Sequence, residues 1–220
     1  MKVKSQEILS QVLGSDLLHP ELKAKLVEVV RNEVTSKSRK FNIWNYVAEN
    51  HILPYFEGLY QDVEGYEVGT NGHILIYRKH DVSADMAGKV VFKNGETMDS
   101  AERYAKWKVI VPKKSEMRNI VTIDFERVEQ LYNDWKVAMI VDNHNLMGYV
   151  IIQGWKFKLP LFYDLCVAAR EFGCDKLYIY HRGLGSACEQ SRLAFGSLEE
   201  GVGGFIMSDI PMGEGWECEL

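Results

Sequence analysis

The tetrapeptide Thr70-Asn71-Gly72-His73 places a hydroxyl and an imidazole on either side of an Asn-Gly pair. Asn-Gly is a strong hairpin signal, because a tight primed turn needs positive φ and these two residues tolerate it. The polar side chains that bracket the pair could donate hydrogen bonds at the rim of a binding site. A plain hairpin with a surface histidine explains the same residues, so this motif alone leaves both interpretations open.

A second candidate is the segment RYAKWKVIVPKK, in which basic side chains alternate with Tyr104 and Trp107. Aromatic platforms flanked by cations are typical of surfaces that bind single-stranded nucleic acid. A solvated strand edge that lysines keep soluble has the same composition. The candidate nucleic-acid contacts are Arg103, Lys106, Lys108, Lys113 and Lys114.

Patterns for catalysis are weaker. The segment RGLGSACEQS has glycines like those of a phosphate-binding loop, but Cys188 stands where GxGxxG requires its last glycine. Cys188 and His181 could form a nucleophile pair, yet no third residue that would orient them is evident. We therefore predict no catalytic residue, and an enzyme that uses the His73 region is kept as an alternative.

Patterns for metals and cofactors are also weak. His73, His80 and Asp81 could approach a metal ion, but their spacing fits no standard site. The four cysteines form no CxxC pair, and no paired histidines complete a zinc site. We predict no metal and no cofactor.

The composition is that of an ordinary globular chain. Hydrophobic residues make up 46% and charged residues 26% of the 220 residues, and the net charge of −5 does not indicate nucleic-acid binding in bulk. The N-terminal stretch lacks a long apolar segment, and no run reaches the ~18 residues of a membrane span. We predict a cytoplasmic protein with reduced thiols, no signal peptide and no membrane partner.

The elements that must position these residues follow from hydrophobic periodicity. Apolar residues at helical spacing predict helix within residues 1–40, and shorter strand-like runs alternate with helices further along the chain. Strands are predicted at 52–60, 65–70, 73–79, 88–96, 107–112, 120–123, 137–143, 148–158, 174–182, 191–197 and 202–210. Helices are predicted near 44–51, 125–135 and 161–172.

A strand that runs into a helix recurs three times, at 41–50, 120–135 and 150–172, and more strands follow each helix. This loose internal repeat predicts an α+β fold, with the helices packed on one side of antiparallel sheets. The predicted divisions are an N-terminal helical extension at 1–40, a first unit at 41–118 and a second unit at 119–220.

Three islands of the sequence resemble, in the same order, segments of the bacterial sliding clamp, the β subunit of the replicative DNA polymerase. ILPYFEGLYQDVEGYEVGTNGHILIY is similar to a clamp segment ending in Ala-Thr-Asp-Gly-His-Arg-Leu, with Asn71 for Asp and Ile74 for Arg. AERYAKWKVIVPK resembles the clamp's Phe-Pro-x-Tyr…Val-Ile-Pro segment. FIMSDIPMGE resembles its closing Met-Pro-Met-Arg-Leu strand, with Gly213 for Arg.

The resemblance implies a DNA-clamp-like fold and a role in DNA replication as a processivity or partner-docking factor. Clamp protomers close into a ring around duplex DNA, and a groove beside the Thr-Asp-Gly-His-Arg-Leu turn receives short peptides of partner proteins. The implied partners are peptide segments, duplex DNA and other copies of the chain in a homo-oligomer. The turn and the C-terminal strand are expected to share one groove, whose residues by matching position are Thr70, Gly72, His73, Leu75, Pro112, Pro211 and Met212.

The predicted helices argue against encirclement of DNA. Helices that line a hole filled with DNA should present Lys and Arg to the phosphates. The helix at 125–135 has Arg127 as its one basic residue, against three acidic ones, and the helix at 161–172 has only Arg170. An interaction module that kept the clamp fold without encircling DNA is therefore the alternative to a replication clamp.

Overall fold

The computed structural model describes residues 19–35, 39–99, 104, 106–141, 147–182, 190–208 and 216–219. Helices in these ranges are α1 (Pro20–Thr35), α2 (Phe125–Val141) and α3 (Leu159–Glu171). Short 3₁₀ turns lie at Ile43–Tyr46, Pro54–Glu57, Trp107–Val109 and Lys114–Glu116. The strands are β1 (Leu59–Asp62), β2 (Tyr66–Thr70), β3 (Ile74–Lys79), β4 (Lys89–Val91), β5 (Thr97–Asp99), β6 (Arg118–Thr122), β7 (Gly148–Ile152), β8 (Trp155–Lys158), β9 (Lys176–Arg182), β10 (Gln190–Ser197), β11 (Val202–Met207) and β12 (Trp216–Glu219).

The chain divides into two compact units, and each is discontinuous in sequence. The small unit comprises residues 1–39, 124–163 and 210–220, and the large unit comprises 40–123 and 164–209. The division falls within α3. Strands from both halves of the chain therefore meet in one sheet of the large unit.

That sheet has nine strands in the order β5-β4-β1-β2-β3-β11-β10-β9-β6, and every neighbouring pair is antiparallel. Helices together with antiparallel sheets confirm the predicted α+β class. The strands of the opening hairpin join the C-terminal ones where β3 pairs with β11, which sets Leu75 opposite Phe205. Strand β11 in turn pairs with β10, which sets Met207 opposite Arg192.

One face of this sheet, here called the aromatic face, carries a buried cluster of strand residues. Side chains directly opposite each other on paired strands lie on the same face of a sheet, so the registers assign Leu75, Phe205, Met207 and Arg192 to this face together. The strand residues of the cluster are Tyr60, Tyr66, Val68, Leu75, Tyr77, Val90, Ala194 and Phe205, and Tyr104, Trp107 and Val111 cover them.

The opposite face is also buried. Leu59 packs there with Ile43 and Val47 from the first 3₁₀ turn and the residue that follows it. Phe172, just after α3, lies 6.2 Å from the ring of Phe195 on β10. Burial on both faces explains why several strands are nearly continuous runs of apolar residues rather than alternating ones.

The small unit is built on the contact of α1 with α2. Val30 of α1 packs with Val137 and Ile140 of α2. Its sheet has the order β12-β7-β8, with β12 parallel to β7 and β7 antiparallel to β8. Among the described residues, no helix combines the length and the apolar character needed to cross a bilayer.

Several predicted elements are wrong in type. The strand predicted at 137–143 is helical as far as Val141, because packing of Val137 and Ile140 on α1 overrides the strand preference of valine and isoleucine. The strand at 107–112 is a 3₁₀ turn over Trp107–Val109. The helix near 44–51 is a four-residue 3₁₀ turn, Ile43–Tyr46, whose cap is the Asn42 side chain accepting from the Trp44 amide.

Other predicted elements differ in extent. The strand predicted at 52–60 begins only at Leu59, after a 3₁₀ turn over Pro54–Glu57, since Pro54 has no N–H for a strand ladder. The strand at 88–96 is limited to Lys89–Val91. The residues before 19 lie outside the described part of the chain. The predicted clamp-like repeat and its common side of helices stay predictions.

A glycine on β10 permits the close approach of β11. Gly196 has a φ of +64°, and a Cβ there would collide with the carbonyl oxygen of Val202 and lie 2.9 Å from the Gly203 Cα. We expect Gly196→Ala to lower the free energy of unfolding by about 2–4 kcal/mol, from left-handed strain plus backbone contact. Gly95 has a φ of +84° with open space around it, so Gly95→Ala should cost only about 1–2 kcal/mol.

Urea denaturation of both variants beside the parent measures this difference. Equal losses of unfolding free energy for the two variants would show that β11 can move away from a Cβ at position 196 without cost, contrary to the packing described.

Candidate functional site

A pocket of about 480 Å³ lies on the aromatic face of the large unit. The β2–β3 turn, the ends of strands β2, β3, β10 and β11, one 3₁₀ turn and the segment around Trp107 all contribute to it. Its lining residues are Tyr55, Phe56, Thr70, Gly72, His73, Ile74, Leu75, Tyr104, Lys106, Trp107, Val109, Ile110, Arg192, Phe205 and Met207.

The floor of the pocket is set by strand register. Thr70 pairs with Leu75, Leu75 with Phe205, and Met207 with Arg192. These pairings cross four neighbouring strands, so the floor is part of the sheet rather than of a loop. A floor of this kind holds its side chains in fixed relative positions.

The rim is the turn between β2 and β3, and its polar side chains bond to its own backbone. The hydroxyl of Thr70 donates to the Ile74 carbonyl at 2.7 Å and accepts from the Gly72 amide at 3.1 Å. The Asn71 side-chain oxygen accepts from the amides of His73 and Ile74, each at 3.0 Å. These bonds present His73 at the edge of the pocket.

The turn is not the type I′ turn with Asn71 and Gly72 as its two central residues, since that turn needs positive φ at both. Gly72 has a φ of +88°, but Asn71 is not among the described residues with positive φ. The Asn71 side chain instead accepts from the amides two and three residues further on, those of His73 and Ile74, which is the Asx geometry that asparagine favours. Thr70-Asn71-Gly72-His73 is therefore both a turn and a pocket rim.

The wall of the pocket, formed by Tyr104, Lys106, Trp107, Val109 and Ile110, is held by the carboxylate of Asp62. That side chain is 3% exposed and accepts from Trp107 Nε1 at 2.9 Å and from Lys108 Nζ at 2.8 Å. The Glu64 amide donates a third hydrogen bond at 2.8 Å. The Tyr104 hydroxyl adds a bond to the Val68 carbonyl at 3.1 Å.

These contacts keep the Asp62–Lys108 pair charged at neutral pH. Burial would raise the pKa of Asp62, but the hydrogen bonds from Lys108, Trp107 and the Glu64 amide outweigh it and hold that pKa below its usual value. Burial would lower the pKa of Lys108, and hydrogen bonds to Asp62 and Glu64 outweigh it and raise that pKa.

Arg192 joins the floor to the wall. The residue is 8% exposed, and its guanidinium lies 5.1 Å from the centroid of the Phe205 ring. Its Nη1 donates to the Ile110 carbonyl at 2.5 Å. The basic residues of the lining are His73, Lys106 and Arg192. No Asp or Glu is among the described lining residues.

The predicted groove residues meet in part. Thr70, Gly72, His73 and Leu75 all line the pocket. Pro112 is buried and lies outside the lining. Pro211 and Met212 fall outside the described residues, so their place beside the turn stays a prediction. The methionine that does line the pocket is Met207, at the end of β11.

The predicted nucleic-acid residues are spread over different environments. Lys106 lines the pocket, whereas Lys108 pairs with Asp62 and with Glu64 at 2.9 Å. Lys114 pairs with Glu200 at 2.7 Å. Lys113 is exposed, and Arg103 lies outside the described residues.

The residues considered for other chemistry give no assembled site. Cys188 and the side chain of His181 lie outside the described part of the chain. Burial raises the pKa of Cys166, of Cys174 and of Cys218, so these thiols are not activated nucleophiles. Within the described residues, no three His, Cys, Asp or Glu side chains are grouped to hold a metal ion.

A second cavity of about 540 Å³ has a less convergent lining. Glu57, one of its acidic residues, accepts from the His51 amide at 2.6 Å and so supports a turn. Asn94 bonds its neighbour Glu96 at 2.8 Å. These polar groups stabilise local loops, and the aromatic pocket is therefore the stronger site candidate.

Sequence reasoning missed much of the pocket, including Tyr55, Arg192 and Phe205. Arg192 carried a usable signal, since it is a charged residue directly before the apolar residues Leu193, Ala194 and Phe195 of a predicted strand. A charged residue inside a buried strand needs a specific partner.

Comparison of this chain with family models, with curated proteins and with solved structures gives no match.

The Asp62 contacts make a stability prediction. Asp62→Asn keeps the shape but removes the charge that Lys108 and Trp107 bond, and we expect a loss of about 2–3 kcal/mol at pH 7. Because the folded-state pKa is lowered, this contribution is present above the unfolded value of about 3.9 and is lost as pH falls through the folded value. In urea denaturation the difference between the two proteins should therefore stay constant from pH 7 to about pH 4 and shrink as the pH falls further.

The matched control is Glu64→Gln. Glu64 pairs with the same lysine but its side chain is 69% exposed, so the expected loss is at most about 0.5 kcal/mol. A loss for Asp62→Asn no larger than that of the control would contradict the role given to this carboxylate.

Proposed function

We propose that this protein works by binding, and that the aromatic pocket receives a short segment of a partner protein. The observation that carries the proposal is the lining, in which aromatic and aliphatic side chains surround about 480 Å³ with a few polar groups among them. A cavity of that size and character suits one or two apolar anchor side chains. Met207 adds a flexible thioether that can adapt to the shape of an anchor.

The surface beside the cavity supports a protein partner. Val109 is 67% exposed and Ile110 is 39% exposed, and both belong to the pocket lining. Exposed branched side chains next to an apolar cavity extend the surface that a bound segment could cover. Burial of one anchor contributes about 1.5–3 kcal/mol, so one or two anchors give the modest affinity of a transient docking site.

The resemblance to sliding clamps supports the same proposal. In that family the turn equivalent to Thr70–His73 borders the groove that receives peptides of partner proteins. On this basis we propose a partner-docking role, such as that of a replication-associated factor. Encirclement of duplex DNA is not part of the proposal, because the carboxylates that pair with Lys108 and Lys114 reduce the charge available to phosphates.

Peptides selected by phage display against the whole chain test the pocket. Ile110→Ala removes apolar area at the mouth and should weaken a selected peptide about fivefold, the equivalent of about 1 kcal/mol. His73→Ala should also weaken it, since it removes a polar group of the rim. Fluorescence anisotropy with a labelled synthetic copy of the peptide gives the dissociation constants.

Ile52→Ala is the matched control, because Ile52 is 89% exposed and does not belong to the pocket lining. It should leave the affinity unchanged. Peptides that bind equally well to the Ile110 and His73 variants, or that are equally weakened by the Ile52 change, would place the binding surface elsewhere.

We expect at most weak affinity for duplex DNA at physiological salt. The net charge of −5 repels a polyanion, and two of the candidate lysines are paired with carboxylates. Anisotropy titration of a labelled 20-base-pair duplex measures this. Sub-micromolar binding with a steep dependence on salt would contradict this prediction. It would show that other basic residues outweigh the net negative charge and that duplex DNA is a partner.

A further inference from the structure

The charges of the pocket differ from those of the chain as a whole. The protein carries a net charge of −5, yet the basic residues His73, Lys106 and Arg192 line the pocket and no Asp or Glu is among its described lining residues. A concave site with walls of low dielectric concentrates the field of its own charges. The pocket is therefore suited to a ligand that brings negative charge as well as an apolar group.

Arg192 is the most buried of these three basic residues. It is 8% exposed, its guanidinium faces the Phe205 ring at 5.1 Å, and Nη1 donates to the Ile110 carbonyl. A guanidinium has five N–H donors in a planar fork that matches a carboxylate. Holding that fork against a ring and a carbonyl reduces the entropy that a ligand must overcome on binding.

Lys106 also lines the pocket. It belongs to the exposed part of the wall, whereas Arg192 belongs to the sheet floor. An ammonium group is a compact point charge, so it adds attraction for an anion that the guanidinium orients. The two cations thus come from separate elements that the fold brings to one cavity.

We infer that the segment bound in the pocket carries a carboxylate close to its apolar anchor, and that Arg192 and Lys106 bind this carboxylate. The inference rests on the proposed function, since it defines the ligand of the same pocket. A local carboxylate fits better than a nucleic acid, because the screening length of about 10 Å at 0.1 M salt confines the attraction to the pocket. A longer polyanion would also meet the surrounding negative charge.

The test begins with randomised seven-residue peptides displayed on phage and selected against the whole chain. Enriched sequences should carry Asp or Glu within two positions of an aromatic or large aliphatic residue. The best sequence is then synthesised with a fluorescein label, together with its amide counterpart, in which Asn or Gln replaces the acidic residue. The amide peptide should bind about tenfold more weakly, as expected for loss of a charge-assisted hydrogen bond.

Charge reversal at Lys106 separates recognition from folding. Lys106 is exposed, so Lys106→Glu should leave the protein folded, which its urea denaturation curve checks, while weakening the acidic peptide at least tenfold. A peptide with Lys in place of its acidic residue should regain affinity for this variant. Arg192→Gln gives a second measurement, read only if its denaturation curve shows a folded protein. The matched control is Lys113→Glu, an exposed lysine outside the lining.

The possible failures are distinguishable. If selected peptides are weakened by Ile110→Ala but show no preference for an acidic residue, the inference is wrong and the proposed function stands. If no selected peptide responds to Ile110→Ala, both are wrong. If a ten-nucleotide oligothymidylate displaces the acidic peptide at sub-micromolar concentration, the pocket binds the phosphates of single-stranded nucleic acid. That result would overturn the inference.

Discussion

The buried carboxylate of Asp62 is the interaction on which the pocket depends. It stands at the end of β1, and a charge 3% exposed is costly unless hydrogen bonds replace the lost water. Trp107 and Lys108 supply those bonds from a segment without regular strand pairing. The segment is thereby fixed across the aromatic face, and Tyr104, Val109 and Ile110 become the wall of a cavity rather than parts of a loose loop.

Local sequence patterns predicted the elements whose structure is decided locally. Strands β2 and β3, the strands β9 to β11 and the helix that starts near residue 125 were all predictable from periodicity and turn residues. The segment WKVIVP was not, because its alternation is typical of a strand while its conformation follows from a bond to Asp62, 45 residues away. The continuation of α2 likewise depends on packing against α1, which no local pattern reveals.

The candidate site divides in the same way. Thr70, Gly72, His73 and Leu75 belong to one hairpin, so a single motif pointed to all four. Phe205 and Arg192 reach the same cavity only through the pairings of β3 with β11 and of β11 with β10. The pairing of strands more than a hundred residues apart cannot be predicted from one sequence. The sequence therefore did not reveal that Arg192 lines the same pocket as His73.

The pairing of β3 with β11 has a consequence for synthesis of the chain. Ile74 of β3 and Ile206 of β11 are neighbours in the sheet but 132 positions apart in sequence, and such distant pairings form slowly. On the ribosome, the β3 edge stays unpaired until residues 202–207 have emerged. Unpaired strand edges are prone to aggregation, and chaperones protect such edges in general. The floor of the cavity is completed only when β11 pairs with β3, so the cavity cannot form before residues 202–207 have left the ribosome.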